Sequence, residues 1–136
     1  MISAINNQGK LQFMVYEGAL RVETFLKFLR RVIKDAKRKI FIIVDNLRVH
    51  HARKVQIWVE KHKDMIEIFF LPPYSPEHNP DEYMNQDVKA HLRKKPMTRS
   101  ERELKSGLRS YMRRLQWKTV KVAHFFDHEL VRYAKA

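Results

Sequence analysis

Two apolar runs, residues 40–44 (IFIIV) and 66–71 (IEIFFL), stand either side of a helix-patterned segment, and that order most constrains the fold. Each run has strand length and is rich in β-branched and aromatic residues. Between them, over residues 52–61, Val55, Trp58 and Val59 form a narrow apolar stripe at helical spacing. Strand, helix, strand reads as a crossover unit whose two strands lie parallel and adjacent. The unbroken IFIIV run is also the composition of a strand covered on both faces. In open sheets of this kind ligands gather beyond the carboxyl ends of the strands. Asp45-Asn46 follows one such end, and a Pro-rich loop leaves from the other.

The remaining segments fit around this unit. Residues 2–6 and 11–16, joined by Asn6-Asn7-Gln8-Gly9, read as a β-hairpin. Over residues 22–36, Val22, Phe25, Leu26, Leu29, Val32, Ile33 and Ala36 fall on one helical face. Four of the five prolines lie in residues 72–80, which makes that loop stiff and excludes a helix or strand there. It ends in Asn79-Pro80-Asp81-Glu82: an N-cap, proline at the first helical position, then acids in the first turn. A helix is therefore expected over residues 80–92. Thr98-Arg99-Ser100-Glu101 has the capping-box spelling, and Leu104, Leu108, Tyr111, Met112 and Leu115 continue it at helical spacing. Residues 122–131 read as a short final helix and an ordered tail. Trp58, Trp117 and the phenylalanines read as core. At 136 residues the chain suits one core, with residues 1–95 as an α/β body and 96–136 as a basic helical extension packed on it.

A surplus of 28 Lys+Arg over 15 Asp+Glu gives a net charge of +13, which favours a polyanionic partner, nucleic acid before an anionic membrane surface. Residues 86–136 carry 14 of those cations against 5 acids, so the basic surface belongs mainly to the C-terminal third. The absence of cysteine excludes a disulfide framework and a thiolate metal site, and fits a reducing cytoplasm. No apolar run of about 20 residues is available to cross a membrane, and the first residues do not have the pattern of a signal peptide.

Asp45 directly follows the apolar run, where an acid is either an ordinary strand-end turn residue or a metal ligand. Glu82, three residues after Asn79, is either a capping-box acid or a second ligand. The two roles of Glu82 are compatible, because a first-turn carboxylate points toward the sheet end where Asp45 is expected. Asp81 projects about 100° around the helix from Glu82, so only one of the pair can face Asp45. His50 and His51 invite a metal reading, but imidazole suits softer metals than oxygen ligands do. One of them is expected to contact phosphate or cap a helix. Arg48, His50, Arg53 and Lys54 are candidates for holding a phosphodiester, with a solvated helix face as the plain alternative.

Taken together, Val44-Asp45-Asn46, His50 and Leu71-Pro72-Pro73-Tyr74-Ser75-Pro76-Glu77-His78-Asn79-Pro80-Asp81-Glu82-Tyr83 closely resemble the catalytic domain of bacterial insertion-sequence transposases related to the Tc/mariner superfamily. The resemblance runs over about residues 2–133. It implies a ribonuclease H-like α/β fold, a central mixed sheet with flanking helices and a helical C-terminal region, lacking here the first strand. It implies that Asp45 and Glu82, with 36 residues between them, are the second and third acids of a DDE site. The first acid in that family lies on a strand before the hairpin, preceded by a helix-turn-helix region that recognises transposon ends. Before Asp35 this chain has only Glu17 and Glu23. It is thus expected to be the C-terminal part of a transposase, from a split frame, a truncated element or a fragment.

The implied chemistry is hydrolysis of a phosphodiester at a transposon end, followed by attack of the freed 3′-hydroxyl on target DNA. Three carboxylates would hold two Mg²⁺ or Mn²⁺ about 3.5–4 Å apart. DNA contacts are expected from Arg99, Arg102, Arg109, Arg113, Arg114 and Lys118 as well as from the basic residues near Asp45. Expected partners are DNA, the N-terminal transposase portion and a second copy on paired ends, in the bacterial cytoplasm at the nucleoid. With two of three acids, the chain alone is expected to be feeble or inert. The competing readings are a DNA-binding remnant or inhibitory subunit without chemistry, and another nuclease of the same general fold.

Overall fold

The computed structural model describes residues 1–94 and 100–135. In chain order the elements are strands β1 (Ile2–Ile5) and β2 (Leu11–Met14), helix α1 (Val22–Lys34), strand β3 (Ile40–Val44), helix α2 (Arg53–Lys61), strand β4 (Ile66–Phe70), and helices α3 (Pro80–Arg93), α4 (Glu101–Trp117) and α5 (Thr119–His124). The fold is mixed α/β with two small sheets, β1 with β2 and β3 with β4, followed by a helical C-terminal region. Two compact units can be separated: residues 16–76 with Ile2, and residues 3–15 and 77–136 with Met1.

In the unit of residues 16–76, β3 and β4 are parallel as the crossover pattern requires, in register from Ile40 opposite Ile66 to Val44 opposite Phe70. Leu71 extends the ladder by donating its amide to the Val44 carbonyl at 2.8 Å. Helix α1 buries Phe25, Leu26, Leu29 and Ile33, and α2 buries Val55 and Trp58. These pack with Val44 and Ile66, and with the partly buried Ile40, Ile42 and Ile68. All these strand residues belong to one sheet face, since alternate side chains point the same way.

The other face corrects the expectation of a strand covered on both sides. Phe41 is 62% exposed, Ile43 42% and Phe69 46%. Both helices lie on the opposite face, so the apolar run specifies a strand without its second face being covered. Phe41 and Phe69 stay near each other, ring centroids 6.3 Å apart, and the Lys39 ammonium sits 5.5 Å from the Phe41 ring.

In the other unit, the hairpin turn is closed by Asn6, whose side-chain oxygen accepts from the Gln8 and Lys10 amides at 3.0 and 2.9 Å. Gly9 completes it with φ of 89°, a conformation that residues with a Cβ rarely adopt. The core gathers Leu11, Met84, Val88, Tyr111, Met112, Leu115 and Val122. Gln116 on α4 donates to the Leu11 carbonyl at 3.1 Å, tying the helix to β2. Helix α3 starts where the sequence places it, with Asn79 accepting from the Asp81 amide at 3.0 Å. For α4 the cap is Ser100, accepting from the Glu103 amide at 3.1 Å. The capping box expected at Thr98 thus moves two residues on, and Thr98 itself lies outside the described residues.

Tyr111 carries a prediction of its own. Its hydroxyl donates to Asp87, which also pairs with Lys121 at 3.2 Å. Burial, then the bond to Asp87 and its charge, push the Tyr111 pKa up. A raised pKa in the folded state means stability that is full below the unfolded value of about 10 and lost as pH rises through the folded value. Melting temperature is expected to hold to about pH 9 and to fall above about pH 10. Tyr111→Phe should cost about 1 kcal/mol at neutral pH and flatten that alkaline fall. An equally steep fall in the variant, followed by circular dichroism, contradicts the assignment.

Candidate active site

Asp45 is the first residue beyond β3, and the loop leaving β4 starts beside it because Leu71 is bonded to Val44. A 3₁₀ turn over Arg48–His51 then folds back and delivers His50 to the strand end. Its ring is 7% exposed and lies against Phe25, centroids 4.5 Å apart. Nδ1 of His50 is 3.0 Å from the Asp45 carbonyl oxygen and 3.0 Å from Asp45 Oδ1. Both neighbours accept, so Nδ1 carries the proton.

The N–H is shared between the two, so Oδ1, buried as an atom, faces the imidazole that covers it. The Asp45 side chain is 40% exposed overall, so the carboxylate also reaches solvent, where a hard cation can meet it. The hydrogen bond from His50, opposed by burial and helped by the Leu47 amide, holds the Asp45 carboxyl below the usual carboxylate range. Asp45 is therefore ionised at neutral pH, which a metal ligand requires.

The neighbours of Asp45 are organised but differ in what they offer. His51 bonds Asn46 through Nε2 and stacks on Phe70, ring centroids 4.1 Å apart and 16° from parallel. Arg48 and Arg53 are exposed. Lys54 is exposed too, but 3.5 Å from Glu23 of α1. Of the two histidines, the buried one faces the acid and has no surface to offer a phosphate.

In the other unit, Asp81 and Glu82 occupy the first turn of α3. Asp81 is engaged by Ser3 of β1, whose hydroxyl lies 2.8 and 3.0 Å from its two oxygens. Glu82 is half-buried on a different side of the same turn. The cap of α3 is made by Asn79, so the helix start does not depend on the Glu82 carboxylate. Among the described residues no group of three or more His, Cys, Asp or Glu is gathered for a metal ion.

The basic residues of the C-terminal helices are exposed as expected: Arg102, Arg109, Arg113 and Arg114 on α4, and Lys118 just after it. Spacings of seven and four put Arg102, Arg109 and Arg113 on one stripe. Arg99 lies outside the described residues. Trp117 corrects its reading as core, being 89% exposed, whereas Trp58 is buried at 9%. Its position was legible, because Trp117 falls two residues, about 200°, beyond buried Leu115. Residues that the site reading passed over are Ser3, whose bond occupies Asp81, and Tyr74, which is wholly exposed.

Among the described residues no helix is long and apolar enough to cross a membrane. No curated protein matches the chain significantly. Solved structures do: the catalytic domain of Mos1 mariner transposase matches with a TM-score of 0.62 at 15% identity, over 95% of this chain and 70% of that one. The same domain with raltegravir and Mg matches with a TM-score of 0.62 at 15% identity, over 96% of this chain and 72% of that one. With Mn in place of Mg, the TM-score is 0.62 at 16% identity, over the same shares. At such identity these likenesses establish the fold, ribonuclease H-like α/β. A sequence model of the family described as DDE superfamily endonuclease matches residues 1–105. By that match the chain belongs to the DDE superfamily endonucleases.

Proposed function

We propose that the chain is the catalytic part of a DNA transposase of the Tc/mariner kind, with Asp45 and Glu82 as two of its three metal-binding acids. The observation that carries this reading is an ionised, partly exposed Asp45 held by His50 at the carboxyl end of β3. Family membership supports that role, and the engagement of Asp81 by Ser3 favours Glu82 as the second acid. The donors are oxygens only, a set that fits Mg²⁺ or Mn²⁺. Such an ion, when bound, polarises the phosphoryl oxygen and makes water acidic enough to attack. His50 acts on Asp45, holding it ionised and oriented.

The stripe of Arg102, Arg109 and Arg113 holds DNA by its phosphates, which positions the duplex without reading its sequence. In gel shifts over a range of salt, affinity is expected to fall steeply, and Arg109→Ala and Arg113→Ala should each reduce the log–log slope by about 1. A slope unchanged in both variants removes this face from the interface.

Because the described residues gather no group of three His, Cys, Asp or Glu, cleavage by the 136-residue chain alone is expected to be slow. Supercoiled plasmid with the purified chain and Mn²⁺ is the direct assay. Slow conversion to open circles, abolished by EDTA, is the expected result, and conversion that persists in EDTA overturns the reading. DNA binding without any metal-dependent nicking would instead favour a second reading, a remnant or inhibitory subunit.

A further inference from the structure

Tyr74, in the loop between β4 and α3, combines two features that a folded chain has no internal reason to combine. Its side chain is 100% exposed, and its backbone lies in the left-handed region at φ of 56°. Among the described residues it is the sole non-glycine residue at positive φ. A Cβ makes that conformation unfavourable, and glycine or asparagine would suit the turn better. Nothing among the described residues compensates, since the ring is entirely in water.

The loop that presents the ring is rigid. Pro72 and Pro73 precede it, Pro76 follows, and the Ser75 hydroxyl donates to the Pro73 carbonyl at 3.2 Å. A side chain fixed in advance loses less freedom when it binds. The loop is rooted at Leu71, bonded to the residue before Asp45, so Tyr74 stands three residues from the candidate acid's own sheet end. At that same end are the His51 ring stacked on Phe70 and the exposed Arg48.

We infer that Tyr74 is a stacking residue for an unpaired base beside the phosphodiester that Asp45 serves. Aromatic rings next to cations are how single-stranded nucleic acid is held without sequence preference. Charge decides between partners, because a chain at +13 attracts a polyanion before it attracts another basic or neutral surface. The inference rests on the DNA-cleaving role proposed above and adds the state of the DNA: frayed, overhanging or flipped at the cleavage point.

The test uses the full chain in EDTA and two labelled duplexes, one blunt and one with a single-stranded overhang carrying 2-aminopurine. Wild type is expected to bind the overhang more tightly and to quench the 2-aminopurine, and Tyr74→Phe should do the same. In Tyr74→Ala and Tyr74→Gly, affinity for the overhang should drop about tenfold and the quench disappear, with blunt-duplex affinity unchanged. Tyr74→Gly should also melt at a higher temperature than Tyr74→Ala, which shows the loss to be one of stacking and not of folding. Wild-type affinity and quench in Tyr74→Ala overturn this inference alone. Failure of wild type to bind either duplex overturns the DNA-cleaving role and this inference with it.

Discussion

Asp45→Asn is expected to lower Mn²⁺-dependent nicking by the purified chain at least about a hundredfold, the effect of losing about 3 kcal/mol of transition-state stabilisation. Asparagine keeps the shape of the side chain and an oxygen near His50, but it removes the negative charge. In the proposed role the charge is what matters, since Asp45 is held ionised and its side chain is partly open to solvent. Melting should shift only slightly, because Asp45 lies at a strand end and fills no part of the core. Unchanged nicking in Asp45→Asn places the chemistry elsewhere.

Gly9→Ala should destabilise the chain by at least about 3 kcal/mol, among the largest effects a single methyl can have. A Cβ there would lie 2.0 Å from the Thr119 carbonyl oxygen, 2.7 Å from its carbon and 2.9 Å from its Cα. All three are backbone atoms at the start of α5, and no side-chain rotation relieves the clash. Gly18 provides the comparison: its φ is 68°, but a Cβ would meet nothing within 4 Å. Gly18→Ala should therefore cost only about 1 kcal/mol, the penalty of the left-handed backbone. Urea denaturation that finds the two glycines equally tolerant contradicts the close packing of the hairpin turn on Thr119.

The crossover unit was legible because both strands announce themselves by composition and the acid follows the first directly. The start of α3 was legible for a similar reason: Asn79, Pro80 and two acids each satisfy a separate need of a helix N-terminus. Element ends were less so. The strand expected over residues 11–16 stops at Met14, and the helix expected to reach Ala36 stops at Lys34. Local pattern says that a residue can continue an element, whereas the end is set by packing around it.

Long-range pairings were the least legible part of the site. The bond from Ser3 that occupies Asp81 joins residues 78 apart in sequence, and nothing near either one encodes the other. His50 was visible as a nearby imidazole, but its burial against Phe25 depends on how α1 packs. The exposed face of the β3–β4 sheet was hidden because an apolar run does not say which of its faces a helix will cover. Tyr74 sat within a recognisable motif, yet its left-handed backbone follows from the loop as a whole and not from its own residue type.

The proposal that Asp45 and Glu82 serve one divalent ion is tested most directly by Mn²⁺ affinity measured in a double-mutant cycle. Asp45→Asn and Glu82→Gln are each predicted to weaken Mn²⁺ binding by about tenfold or more, with the double variant little worse than either single one, because ligands of one ion fail together. Losses that simply add, or a Glu82→Gln variant that binds Mn²⁺ as wild type does, would contradict the shared site.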